Sequence, residues 1–500
     1  MKNKVFAVLA ACAVLAARVS ADDFDDFGDF GDFGGSDDSG GFGDFGDFGG
    51  FGSSSSSSPS VSISGSAELS GRVYVDLRKD GSDGDRYSVG DFKTEGDPSA
   101  RIDFDYSGAV SDISVKLKFD ANSLGDYKED ILDEFTARAY LGSFQLEAGK
   151  MKTVWGKGDK LHVLDNFNAN DYTDFLIPDY IDRRVSEPMF RAVYTTPSNL
   201  KLEGIVTPGM TADRYATEGV WYPEAMTTMT SLVTSAVSAN AAAALSSGDT
   251  AAALSYASFD SDDLYADTHK LKYAQAGLRA TFTVGHWDLG ASYYYGHYKQ
   301  VSADLEKYVN SVAAGSDYID LPELKYDRLQ VFGLEAAAVI WKLNTRFEAA
   351  YNLTDDIAGD DPWVHNNSIA WIAGFDIDLP VSNLNFNIQT QGSYILRSNE
   401  IGGSYKAYDV DYDSCGHYTN NRIVILLSDS YNHEKIEPEI KFVWGIEHFD
   451  FLIIPSITIK AADDFSICAS GLWIYAEDEQ SEFHGWRRNS FAEIACKYMF

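Results

Sequence analysis

The chain has 500 residues, 29 Tyr and 30 Phe, a formal net charge of -36 and a mean hydropathy of -0.22. That hydropathy excludes a bundle of membrane helices, each of which needs about 20 apolar residues in a row, but is compatible with a barrel, in which only alternate strand residues meet lipid. The charge argues against nucleic acid as a partner, because binding it requires Lys and Arg to neutralise phosphates.

The N-terminus carries Lys2 and Lys4, an apolar stretch from Val5 to Ala17, and the small residues Val19-Ser20-Ala21. This pattern predicts a secretory signal peptide over residues 1–21. Residues 22–60 are low in complexity. They hold ten Asp and no basic residue, repeat Asp-Phe-Gly units such as Asp29-Phe30-Gly31 and Asp44-Phe45-Gly46, and end in the run Ser53 to Ser58. Such a segment buries too little to offset its ordering entropy, so a disordered tail is expected. Residues 61–500 then hold 37 basic and 66 acidic groups, a net charge of -29.

From Val61 onward the pattern has period two. Ala276, Leu278, Ala280, Phe282 and Val284 alternate with Gln275, Gly277, Arg279, Thr281 and Thr283. Leu343, Thr345, Phe347, Ala349 and Tyr351 alternate with Asn344, Arg346 and Glu348, and Leu384, Phe386 and Ile388 with Asn385, Asn387 and Gln389. Each segment is a strand with one apolar and one polar face. These strands run ten to fifteen residues, whereas globular strands average about five or six.

Connections alternate between tight and long. Tight turns are predicted near Gly108 to Ser111, Gly142-Ser143, Pro197-Ser198, Gly285, Trp341-Lys342 and Pro380 to Ser382. Long polar connections are predicted over 79–98, 121–131, 151–187, 208–270, 299–325, 354–365 and 397–420. Membrane barrels have this rhythm, with short periplasmic turns and longer outer loops. Seventeen strands are clear, and Asn421 to Leu427 makes the eighteenth that an even count requires; sixteen follows if two of the last segments are misread. Within 208–270, residues 224–258 are rich in Ala, the strongest helix former, and predict a helical insertion.

The last strand alternates Ile494, Cys496, Tyr498 and Phe500 with Glu493, Ala495, Lys497 and Met499. It resembles the closing strand of bacterial outer-membrane β-barrels. That resemblance implies a transmembrane antiparallel barrel over residues 61–500, an outer-membrane location, surrounding lipid, and recognition of Tyr498 and Phe500 by the barrel-assembly machinery. A second block runs GKMKTVWGKGDKLHVLDNFNANDYTDFLIPDYIDRR from Gly149 to Arg184. Its strand ending in Gly, followed by Trp155-Gly156 and an Asp/Asn-rich loop, resembles porin-like outer-membrane families. It departs from them at Ala169, where those families have Pro.

The resemblance implies a porin-like channel for passive diffusion of small hydrophilic solutes, and the acidic balance adds an expected preference for cations. Pore constrictions place opposed charges and aromatics at the narrowest point. Trp155, Lys157, Asp159, Asp165, Asp171, Tyr172, Arg183 and Arg184 are therefore the candidate constriction, with Arg279, Arg346 and Asn385 expected to face the lumen. The alternative is an adhesin or structural barrel whose long loops contact host or matrix. A lipid channel would need an apolar lumen, which the polar strand faces oppose. No nucleophile elbow, phosphate loop, metalloprotease helix or dinucleotide fingerprint is present, so no catalytic residue and no cofactor is expected. Cys415, Cys468 and Cys496 have neither disulfide-framework nor zinc spacing, and the acidic pairs Asp355-Asp356 and Asp360-Asp361 lack the spacing of a calcium loop. No metal is assigned.

Overall fold

The computed structural model describes residues 59–77, 92–159, 161–260, 264–402 and 405–500. The signal segment, the tail up to residue 58, most of the 79–98 connection and Lys160 lie outside the described residues.

Eighteen strands form one closed antiparallel barrel. They are β1 (Ser60–Tyr74), β2 (Thr94–Ser107), β3 (Ser111–Phe119), β4 (Leu132–Leu141), β5 (Phe144–Met151) and β6 (Glu187–Thr195). Next come β7 (Lys201–Thr207), β8 (Gln275–Val284), β9 (Trp287–His297), β10 (Arg328–Ile340), β11 (Leu343–Leu353) and β12 (Ser368–Asp378). The last six are β13 (Asn385–Ile395), β14 (Thr419–Ser428), β15 (Ile436–Gly445), β16 (Asp450–Ala462), β17 (Phe465–Tyr475) and β18 (Phe491–Met499). Each pairs with its neighbours in sequence. The wall closes where β1 meets β18, in the register Ser66↔Met499 to Tyr74↔Phe491. Closure leaves no edge strand to pair with another chain.

The expected eighteenth strand is β14, so the count is eighteen rather than sixteen. Two further connections join β15 to β16 and β17 to β18, at 446–449 and 476–490, on the end that carries the seven anticipated long loops. The opposite end has the tight turns. Gly142 and Gly285 both sit at φ +64° there, a left-handed conformation that glycine adopts without penalty.

Period two decides which side chain meets which medium. On β11, Phe347 is 44% exposed and Glu348 is fully buried. Leu278, Phe282, Tyr351, Ile457, Trp473, Ile494 and Tyr498 share the outward face and are exposed. An outer belt this apolar suits lipid rather than water.

The alanine-rich insertion is helical over Glu224–Ser247 and Thr250–Ala257. Gly248, left-handed at φ +82°, ends the first helix, and the Asp249 carboxylate caps the second by accepting the Ala252 N–H. Leu232, Val233 and Ala236 pack against Leu305, Tyr308, Val309, Leu324, Trp363 and Tyr408 from other long loops. The insertion thus belongs to a second apolar cluster at the long-loop end, separate from the strand wall.

The inward/outward assignment is testable on adjacent residues. Phe347→Lys should cost about 2–4 kcal/mol of stability in a bilayer or micelle, because the ammonium would face lipid near the strand centre. Arg346→Lys, on the inward face, should cost much less. Denaturant titration of the folded, heat-modifiable form checks this, and equal losses would refute the assignment.

Candidate functional site

The connection from β5 to β6, residues 152–186, does not stand off the barrel. It folds into the lumen and is held by inward-facing wall residues. Its main anchor is Glu348. One carboxylate oxygen accepts the backbone N–H of Lys157 at 2.7 Å and of Gly158 at 2.6 Å, and lies 3.0 Å from His162 Nδ1. The other accepts the Val163 N–H at 2.9 Å. Gly156 is required by this approach: it sits at φ +121°, and a Cβ there would fall 2.1 Å from Glu348 Oε1. Burial disfavours a charged His162, but the adjacent Glu348 carboxylate and then Asp165 outweigh it, so the imidazole pKa is raised above its ordinary value.

The neighbouring wall is shaped to receive the loop. Trp155 and Phe167 lie over Gly277 of β8, and Leu164 lies over Gly333 of β10; a Cβ at either glycine would come within 2.7 Å of those side chains. The Trp155 indole N–H donates to Glu203 at 3.2 Å. Asn168 ties the two ends of the loop together: its side chain accepts the Thr153 N–H and donates to the carbonyls of Met151 and Val185.

Farther along, the loop forms a three-stranded miniature sheet with the start of the β7–β8 connection. Ala169 and Asn170 pair with Val185 and Arg184, and Asp171 and Tyr172 run parallel to Arg214 and Tyr215. Ion pairs then reach the opposite wall: Arg72 of β1 binds Asp174 at 2.7 Å and Glu493 of β18 at 2.8 Å, and Arg101 of β2 binds Asp182 at 2.6 Å. Phe175 stacks on Trp221 at 4.7 Å and 3° and meets Trp486 edge-on at 4.6 Å. This group packs on Ile372, Val424, Val443, Leu452, Leu472 and Ile474, which point inward from β12 and β14–β17. The lumen is therefore not polar all round, as the strand patterns of β8, β11 and β13 had suggested. One arc is apolar, and the infolded loops cover it.

The opposite arc carries a belt of alternating charges, one height of the wall linked strand to strand. Arg138 of β4 binds Glu147 of β5 at 2.6 Å, and Glu147 binds Arg191 of β6 at 3.0 Å. Arg191 binds Glu203 of β7 at 2.7 Å, and Arg279 of β8 binds Glu335 of β10 at 2.8 Å while lying 4.0 Å from Glu203. Glu335 crosses β9 over Gly290, where a Cβ would clash with it at 2.2 Å. Between the loop and β9–β13 lies a cavity of about 50 Å³ whose polar lining includes His162, Asn168, His297, Lys299, Asn352 and Gln391.

The candidate constriction residues are brought together only in part. Trp155, Lys157 and Asp159 lie on the Glu348 side; burial lowers the Lys157 ammonium pKa, and Asp159 accepts from Asn387 and lies 4.0 Å from Arg346. Asp171 and Tyr172 lie in the miniature sheet, with Tyr172 stacked on Tyr215 and the Asp171 carboxylate accepting the Thr173 N–H. Asp165 binds Arg184 at 2.9 Å and accepts from the Tyr180 hydroxyl. Arg183 and Arg184 are 0% and 4% exposed. Arg183 lies over the Tyr172 ring, and Arg184 also donates to the Asn168 carbonyl at 2.8 Å. Both arginines are held inside the folded loop, not at a water-filled surface. Of the residues expected to face the lumen, Arg279 joins the charge belt, Arg346 binds Asp376 at 2.6 Å, and Asn385 bonds Asp378 near the tight-turn end. Tyr498 and Phe500 point outward, and the Phe500 backbone exchanges two hydrogen bonds with Gly65. Glu348 was read on the polar face of its strand but not as an anchor of the loop, and His162 and the belt residues Glu147, Arg191, Glu203 and Glu335 were absent from the candidate set. The readable signal was a charge recurring at inward positions of consecutive strands.

No family model and no curated protein matches the sequence. Among solved structures the chain is similar to the outer membrane channel DcaP of Acinetobacter baumannii, at 8% identity and a TM-score of 0.39, covering 88% of this chain and 97% of that one. It is also similar to OpdQ of Pseudomonas aeruginosa, at 9% identity and a TM-score of 0.41, covering 88% and 97%. The outer membrane protein opdK of the same organism gives 9% and 0.41, covering 88% and 98%. A likeness of this depth says nothing about what passes through the lumen.

Removing the anchor should release the loop. Glu348→Ala leaves three buried or partly buried amides and one imidazole without their acceptor, each fully buried unmet group costing about 1–3 kcal/mol. Trypsin cleavage within 152–186 should rise sharply while the heat-modifiable barrel survives; unchanged cleavage would count against the anchor. Protection should also depend on pH. A histidine with a raised folded pKa contributes stability below its unfolded value of about 6.5 and loses it as pH rises through the folded value, so the loop should be better protected at about pH 6 than at about pH 9.

Proposed function

We propose that this protein is an outer-membrane channel for the passive diffusion of small hydrophilic solutes, with the infolded segment 152–186 as its constriction. The observation that carries this reading is that loop, pinned across the lumen of an 18-strand barrel by Glu348 on one side and Arg72 and Arg101 on the other. A barrel of about this strand number encloses an aqueous bore, and a seated loop narrows it to a cleft with polar donors and acceptors along one side. The apolar outer belt supports an integral location, reached through export directed by residues 1–21, with assembly machinery reading Tyr498 and Phe500. Among the described residues of the constriction we read no catalytic role.

Cation preference follows from charge. The belt and the loop anchors pair their charges, so selectivity falls to the unbalanced acidic excess, formally -29 over residues 61–500. Confined, poorly screened acidic fields favour cations. Asp159 would line the path on the Glu348 side, while Trp155 and Lys157, buried like Arg183 and Arg184, would act as struts within the loop.

Planar-bilayer recording tests this. The wild-type protein should give small, discrete conductance steps with a reversal potential in a KCl gradient displaced toward the potassium potential. Glu348→Ala should raise the conductance severalfold. Silence from both proteins would overturn the channel reading, and equal permeability to potassium and chloride would remove the cation preference.

A further inference from the structure

Three surface connections at the long-loop end converge outside the constriction: 396–418, 446–449 and 476–490. They bring Asp413, His417 and His448 together, with one ligand atom of each within 4.8 Å of the others. We propose that these three residues form a binding site for a divalent transition cation of the zinc class, independent of the channel reading.

The geometry is that of a prepared site. Asp413 is fixed by its own turn, with its carboxylate accepting the backbone N–H groups of Cys415 at 2.7 Å and His417 at 3.1 Å. Gly416 turns the chain at φ +79°, which returns His417 over that carboxylate. His417 Nδ1 lies 3.3 Å from Asp413 Oδ2, is shielded from solvent, and makes no hydrogen bond. His448 Nε2 approaches the same oxygen at 3.9 Å, and the two imidazole centroids are 5.3 Å apart. Donors around a tetrahedral ion at about 2.0–2.1 Å lie about 3.3–3.4 Å from one another, so one of these separations is already met and the other needs a shift of about half an ångström.

A separate feature points to the same ligand. His448 Nδ1 is 2.9 Å from Asp478 Oδ2, a residue of a different loop. A carboxylate there holds the proton on Nδ1 and leaves the Nε2 lone pair facing Asp413 and His417. This is the arrangement by which metal-binding histidines are oriented. Two imidazoles and one carboxylate suit zinc and its neighbours better than calcium or magnesium, which prefer all-oxygen shells. Three protein donors leave a fourth position for water, and the bound ion would fasten two rim loops directly, with the third held through Asp478 on His448.

Cobalt(II) is the probe for a tag-free, full-length, detergent-solubilised chain. One ion per chain is expected, with the intense visible absorption of tetrahedral cobalt, displaced by Zn²⁺. His417→Ala and His448→Ala should each abolish that absorption. Asp478→Asn should weaken binding about 10–100-fold while keeping the spectrum, as loss of an orienting partner does. His433→Ala, in a turn at the opposite end, and Cys415→Ser should change nothing. Barrel folding is followed by heat-modifiable mobility, which substitutions in these loops should leave intact. Failure of the wild type to take up cobalt overturns the proposal, as does equal uptake by the His417/His448 double variant. A thiolate-to-cobalt band that disappears in Cys415→Ser would also overturn this ligand set, in favour of Cys415, His448 and Asp478, whose ligand atoms also lie within 4.8 Å of one another.

Discussion

The internal structure of this barrel depends on one buried carboxylate. Glu348 points into the lumen from the middle of β11 and is fully shielded from water. A carboxylate so placed must find donors or lose its charge. Its own strand offers none, because the β11 backbone is committed to β10 and β12. The amides of Lys157, Gly158 and Val163 and the His162 ring meet the need, and they can do so only if the 152–186 connection turns inward. The short spacing of those donors and the glycines beside them let a single loop segment wrap both oxygens.

Once the loop is turned inward, its other contacts follow from what the wall presents. One arc presents guanidinium and carboxylate groups in alternation, each neutralised by a neighbour on the adjoining strand. Such paired, partly buried ions add modestly to stability, but unpairing any of them would leave a charge with no partner. The other arc presents Val424, Val443, Leu452, Leu472 and Ile474, which would be costly facing water in an open bore. Phe175, Leu176, Trp221 and Trp486 cover them. Hydrophobic burial and polar anchoring thus act together at both ends of the same loop, and they make it a fixed partition.

The barrel was legible in the sequence because its cause is local. Alternation in segments such as Gln275–Val284 and Leu343–Leu353 states directly that two faces meet two media, and β14 was recoverable from an even-count requirement. The loop rhythm missed the last two connections at the long-loop end, 446–449, which is as short as a turn, and 476–490. The apolar arc was hidden for a related reason: a stretch such as Ile423–Leu427 is apolar on both faces, so period two cannot say which side is lipid and which is core. The composition of 152–186 marked a loop rich in charge and aromatics without showing where its arginines lie, because a charged residue in a loop reads as solvated until its partner is known. Arg184 and Asp165 are in fact mutually buried. Glu348 and His162 are 186 residues apart, and His448 lies in a different connection from Asp413 and His417, so neither grouping could be assembled from spacing alone.

The most direct test of the account is amide hydrogen exchange over residues 155–165 in protein inserted in lipid nanodiscs. The described residues of this stretch have no ladder partners in the barrel wall, so an outward loop would exchange as freely as any exposed turn. The amides of Lys157, Gly158 and Val163 are instead expected to exchange on the timescale of the barrel strands, because the Glu348 carboxylate holds them inside the lumen. Rapid exchange at all three, with the strands still protected, would contradict the seated loop and the constriction built on it.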